Sequence, residues 1–212
     1  MMLKKVNKGQ VTIFIILAIL LVSIIILFFV FKDELLGNRI PAEISPVYNT
    51  LVSCLEDDLF VGISILESQG GYIYLPEYES GSEYMPFSSQ LDFLGNPIPY
   101  WYYVSGNNIE REQVPSLTDM QNQLEKFIEG RAKTCLFDNY YSQGYEILTT
   151  EPKAAVSIKD SEVILDLKMD FSVSIGEESY VVKEHKISLN SELGALYGSA
   201  LKVYNEEQGK LF

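Results

Sequence analysis

Among its 212 residues the chain has one histidine, His185, and two cysteines, Cys54 and Cys135. A single histidine excludes multi-histidine metal centres and His-Glu-x-x-His chemistry, and two cysteines without a Cys-x-x-Cys pair exclude a zinc ribbon. There is no Gly-x-Gly-x-x-Gly and no P-loop, so neither nucleotide-cradling signature is present. Basic residues are scarce: sixteen Lys and Arg face twenty-nine Asp and Glu. Without a basic stripe no phosphate backbone can be neutralised, so a nucleic-acid partner is not expected. Consecutive Glu56-Asp57-Asp58 does not have the loop spacing of a calcium site and reads as a solvated helix face. His185 lies among Lys183, Glu184 and Lys186, which reads as a surface position. Nothing singles out a catalytic pair, and an enzyme is not expected.

What the chain does have is an uncharged apolar run from Val11 to Phe31. As a helix, its twenty-one residues span roughly 31 Å, about the thickness of a bilayer's hydrocarbon core. Only Thr12 and Ser23 interrupt it, and a helix can return either hydroxyl to its own backbone. Lys4, Lys5 and Lys8 precede the run, whereas every acid follows it. That asymmetry places residues 1–10 in the cytoplasm, a transmembrane helix over 11–31, a linker over 32–44, and the remainder outside. Residues 33–212 carry twelve bases and twenty-nine acids, a charge of −17, which keeps an exposed domain soluble and disfavours adhesion to anionic lipid. Lys32-Asp33-Glu34-Leu35 is no retention signal, because that signal is read only at a C-terminus.

Residues 45–212 read as an α+β domain of amphipathic helices packed on an antiparallel β-meander. Ser45-Pro46 predicts a capped helix start, followed by Val47, Leu51, Cys54, Leu55, Leu59, Ile63 and Leu66 at helical spacing until Gly70-Gly71. Ser116-Leu117-Thr118-Asp119 predicts a capping box for a second helix, carrying Met120, Leu124, Phe127, Ile128 and Cys135 inward. One cysteine on each inner stripe, in an oxidising compartment, predicts a Cys54–Cys135 disulfide; two buried free thiols are the alternative. Seven alternate apolar positions from Val163 to Ile175 predict a long strand with one wet face, between Ala154–Ile158 and Tyr180–Leu189. Ser191 to Glu207 predicts a final helix.

Between Tyr72 and Val114 the chain is aromatic and turn-rich, with prolines at 76, 86, 97 and 99 that forbid a long helix or a central strand. Tyr100, Trp101, Tyr102 and Tyr103 form either a satellite core or a contact surface, the latter suited to a partner protein or a glycan. No cofactor is implied. The partners expected are the bilayer and, outside it, the protein itself, another surface protein or a glycan.

Asn7-Lys8-Gly9-Gln10, abutting the apolar run, resembles the archaeal class III signal of type IV pilin-like proteins. The resemblance implies cleavage between Gly9 and Gln10 and a filament-core helix from Gln10 to Phe31. Many such proteins carry glutamate at the fifth mature position, where this chain has Phe14. Ser53-Cys54-Leu55, Gln69-Gly70-Gly71-Tyr72-Ile73, Pro99-Tyr100-Trp101-Tyr102 and Ala132-Lys133-Thr134-Cys135 resemble a family of small-genome archaeal membrane proteins without an assigned activity. That likeness implies location and kinship, and a short form, because members continue beyond the last helix.

Overall fold

In the computed structural model, residues 15–23, 25–26, 40–84 and 86–211 are described. The chain divides into two units, Met1–Ala42 and Glu43–Phe212. In the first, residues 15–23 and 25–26 are helical, and Ser23 Oγ donates to Ile19 O at 2.8 Å, as expected of a hydroxyl in an apolar helix. Among the described residues no helix is long and apolar enough to cross a membrane. The rest of the Val11–Phe31 run, the Gly9–Gln10 junction and most of the linker lie outside them.

The second unit is α+β with antiparallel sheets. Helix α1 (Ser45–Ser68) buries Val47, Leu51, Leu55, Leu59, Ile63 and Leu66, the stripe that its periodicity predicts. Its start differs from expectation. Buried Ile44 is the N-cap residue, and its carbonyl accepts the Tyr48 N–H at 3.1 Å. Ser45 is therefore already helical and caps nothing, with Pro46 behind it. At the other end Gly71 N–H donates to Leu66 O at 2.8 Å, and Gly70 takes φ +64°, which a Cβ would oppose. Helix α2 (Leu117–Arg131) opens on the predicted capping box, with Ser116 Oγ accepting from Asp119 N–H and the Asp119 carboxylate accepting from Ser116 N–H. It ends at Arg131. Ala132–Thr134 form a 3₁₀ turn, so Cys135 lies just past the helix rather than on it.

The meander is built around its middle strand. Strands β5 (Tyr145–Thr149) and β6 (Lys153–Ile158) lie end to end along one edge of β7 (Glu162–Ile175), and β8 (Glu178–Asn190) runs along the other. Val163, Leu165, Leu167, Met169, Phe171 and Val173 of β7 are buried toward the helices, as the alternation predicts. Short helix α3 (Asp138–Tyr141) leads into β5. A register shift between Lys168 and Phe171 changes the phase of β8, so Lys183 and Glu184 are both exposed there.

The β6 edge is closed by side chains rather than by another strand. Gln121, Glu125 and Glu129 recur every four residues along α2, and their Oε1 atoms accept the N–H groups of Ile158, Val156 and Ala154 at 3.2, 2.9 and 3.1 Å. An exposed edge invites foreign pairing, and covering it with a helix removes both the template and the orphan donors. Helix α4 (Leu193–Leu211) begins where Gly194 passes over Lys159 O, so closely that a Cβ would overlap it.

The aromatic segment folds as two hairpins, β1 (Gln90–Phe93) with β2 (Asn96–Pro99), and β3 (Tyr102–Val104) with β4 (Glu110–Glu112). Pro97 and Pro99 are tolerated because β2 belongs to a two-stranded ribbon.

The Glu125 bridge makes a prediction. Glu125→Gln keeps an acceptor for Val156 and should change stability by less than about 0.5 kcal/mol, whereas Glu125→Leu orphans a part-buried donor and should cost about 1–3 kcal/mol. Denaturant unfolding of both variants measures the difference.

Candidate functional site

Three groups of side chains carry the chemistry open to this domain. The first is where α1 crosses α2. The Sγ atoms of Cys54 and Cys135 lie 2.03 Å apart with their Cα atoms at 6.0 Å, which is disulfide-bonding distance, and no free cysteine remains among the described residues. One turn along α1, Asp58 is only 4% exposed and its carboxylate accepts from Arg131 Nε. The expectation of a solvated Glu56-Asp57-Asp58 face therefore fails at its last residue. Four residues after Cys54 and three after Leu55, Asp58 falls on the buried stripe, where a carboxylate needs a partner. The ligand atoms of Cys54, Asp58 and Cys135 lie within 4.8 Å of one another, yet sulfurs joined to each other are not the thiolates that bind metals.

The second group is centred on Trp101. Its indole N–H donates to Gly70 O at 2.9 Å, and its ring meets the edges of Tyr197 and Tyr204 at centroid separations of 6.1 and 5.8 Å. Tyr197 Oη donates to Pro115 O and Tyr204 Oη to Glu112 Oε1, each at 2.9 Å. Partial burial and that glutamate push the Tyr204 hydroxyl up to about 12. Tyr103 is buried, and Tyr100, Trp101 and Tyr102 are half-buried. Gln113 holds the stretch in place, its Nε2 donating to Ser89 O and Tyr100 O at 3.0 and 2.7 Å. Of these rings only Tyr103 is buried, and Trp101 is covered in part by Tyr197 and Tyr204. More exposed rings of the same segment lie upstream, at Tyr84 (87%), Phe87 (71%) and Phe93 (58%).

The third group corrects the placing of His185. It is 2% exposed, not on the surface. Nε2 donates to Met169 O at 2.9 Å, Nδ1 lies 3.4 Å from Tyr48 Oη, and the ring packs against Tyr48 and Phe171. Its charged neighbours in sequence misdirect. His185 shares its parity with Ile187 and Leu189, and that parity is the inward one up to the irregularity in β7–β8 pairing. Burial holds its pKa below the ordinary histidine value, against the opposing effect of the Met169 carbonyl.

Compared with family models, with curated proteins and with solved structures, the chain matches none. Function must therefore be argued from these groups and from the sequence alone. The sequence found the cysteines and the Trp101 stretch. It misplaced Asp58 and passed over Ser89, Gln113 and the Gln121–Glu125–Glu129 row, although helical spacing marks Asp58 and that row.

Two predictions follow from this geometry. Cys54→Ser should lower unfolding free energy by about 2–5 kcal/mol, because the bond closes a long loop in the unfolded chain; the separation is 81 residues. Labelling of denatured, unreduced wild-type protein should find no reactive thiol. A histidine held neutral by the fold contributes stability that is fully present above its unfolded value of about 6.5 and is lost as pH falls through the lower folded value. Denaturant midpoints measured below pH 6.5 should therefore fall less steeply in His185→Gln than in the parent.

Proposed function

We propose that this is a single-pass, membrane-anchored surface protein, N-terminus inside and residues 33–212 outside, whose α+β domain serves structure or contact rather than catalysis. The observation that carries this reading is the uncharged run Val11–Phe31, with three lysines before it and all acids after it. Two features support it. Ser23 returns its hydroxyl to the helix backbone, as a polar group in hydrocarbon must. Cys54 and Cys135 are paired, in keeping with an oxidising compartment. The lone histidine is absorbed into the core and the Trp101 cluster into the domain's own packing, which favours a structural or contact role over a sugar platform at residues 100–103.

A second reading, a processed pilin-like filament subunit, is favoured by one observation: Lys8-Gly9-Gln10 abuts the apolar run directly. On this reading the helix is cut free after Gly9 and packs laterally with copies of itself.

Protease treatment of intact cells tests the topology: residues 33–212 should be degraded while the run survives. Complete protection in sealed cells, with digestion after lysis, would overturn it. The N-terminal mass of the purified protein then separates the two readings. An end at Met1 or Met2 marks a permanent anchor, and an end at Gln10 marks processing.

A further inference from the structure

The β1–β2 hairpin turns through Leu94 and Gly95, with Phe93 and Asn96 as the closing pair. Both turn residues have positive φ, +55° for Leu94 and +83° for Gly95, the signature of a type I′ turn. Asn, Asp or Gly normally holds the first of these positions, and a bulky leucine there is a backbone outlier. Its side chain gains nothing from the fold in return. At 92% exposure Leu94 is the most exposed large apolar side chain among the described residues, beside exposed Phe93 and Leu91 and downstream of Tyr84 and Phe87.

The tip is held out firmly. Asp92 Oδ1 accepts from Gly95 N–H at 2.9 Å, and Asn96 donates to Ser68 O at 3.0 Å while accepting from Gln69 Nε2. At the hairpin base Ser89 is buried, bonded through its backbone to Glu79 and Tyr100. Strained backbone, a leucine standing in solvent beside part-exposed apolar neighbours, and rigid support together describe a surface shaped for contact.

Charge and position select the occupant. Residues 40–110 contain no Lys or Arg, and Glu77, Glu83 and Asp92 are exposed along the same segment. Anionic lipid would repel Asp92, and sinking Leu94 into a bilayer would draw the aspartate's carboxylate out of water. Asn96 seats the hairpin at the C-terminal end of α1. In a second copy the apolar hollow between α1 and α4, lined by Leu66, Trp101, Leu193, Leu196 and Ala200, has Glu67 as its one charged lining residue and does not complement an acidic tip.

We propose that the Leu94 tip is a docking knob for a different protein, one presenting an apolar cleft rimmed by Lys or Arg. An apolar anchor inside a charged rim is the anatomy of a specific interface. The proposal deepens the contact role proposed above and rests on it, but it does not depend on the anchor.

The test is a diazirine-bearing leucine analogue incorporated at position 94 of the full-length chain and photolysed in the cells that produce it. The expected result is an adduct with one other protein, at a peptide holding Lys or Arg. Its yield should fall at least fivefold with Asp92→Asn, which keeps the turn's acceptor and removes the charge. Leu94→Asn should leave Tm unchanged or raise it, since asparagine suits the turn. Adducts with lipid or with a second copy, no protein adduct, a yield indifferent to Asp92→Asn, or a marked loss of Tm in Leu94→Asn would each overturn the proposal. Protease shaving reads the topology and crosslinking reads the knob, so either can fail alone.

Discussion

Helices α1 and α2 pack closely at Gly62, where the Leu124 side chain fills the space a Cβ would take. A Cβ there would overlap Leu124 Cδ1 and crowd the Phe127 ring. The close approach sets the remaining geometry of the domain. It brings Cys54 to Cys135 and Asp58 to Arg131, so a covalent link and a partly buried ion pair lie one turn apart on the same seam. Half-exposed Arg131 shields the Asp58 carboxylate without being sealed in itself, which avoids the full desolvation cost of a buried pair. The crossing also fixes the rotation of α2, and with it the row of Gln121, Glu125 and Glu129 that closes the β6 edge.

From that seam the domain is organised outward. The inward face of β7 supplies the core beneath the helices, with Phe171 touching Phe137, Tyr48 and His185. The aromatic segment is not a second core of its own. It is fastened polar group by polar group, through Asn96 and the Trp101 indole to the end of α1 and through Pro115 and Glu112 to Tyr197 and Tyr204 of α4. Hydrogen bonds of this kind specify position more than they add stability, since each replaces a bond to water. They let a short two-stranded ribbon, marginal by itself, stand out from the domain in one orientation.

Local signals were legible in the sequence wherever the physics is local. The Ser116–Asp119 box, the Gly70-Gly71 stop and the β7 alternation depend on neighbours within a few residues, and each appears where expected. The readings that failed were judgements about surroundings. Asp58 and His185 were assigned to solvent because of charged neighbours in sequence, although both have the parity of buried positions. Ser45 lost its capping role because burial of Ile44 set the helix start. The rings at 100–103 could not be assigned between core and surface, because that depends on α4, nearly a hundred residues later.

By itself, then, the sequence determined the α+β class, the acidic charge of everything after residue 32 and the presence of one uncharged run long enough for a bilayer. Composition and periodicity are properties of the chain and need no partner to be read. Only the tertiary structure decided which polar groups are enclosed, that three side chains of one helix complete a sheet edge, and that a leucine rather than the tryptophan stands in solvent. Each of these depends on residues far apart in the chain reaching one place. Burial is a property of that meeting and of no single residue.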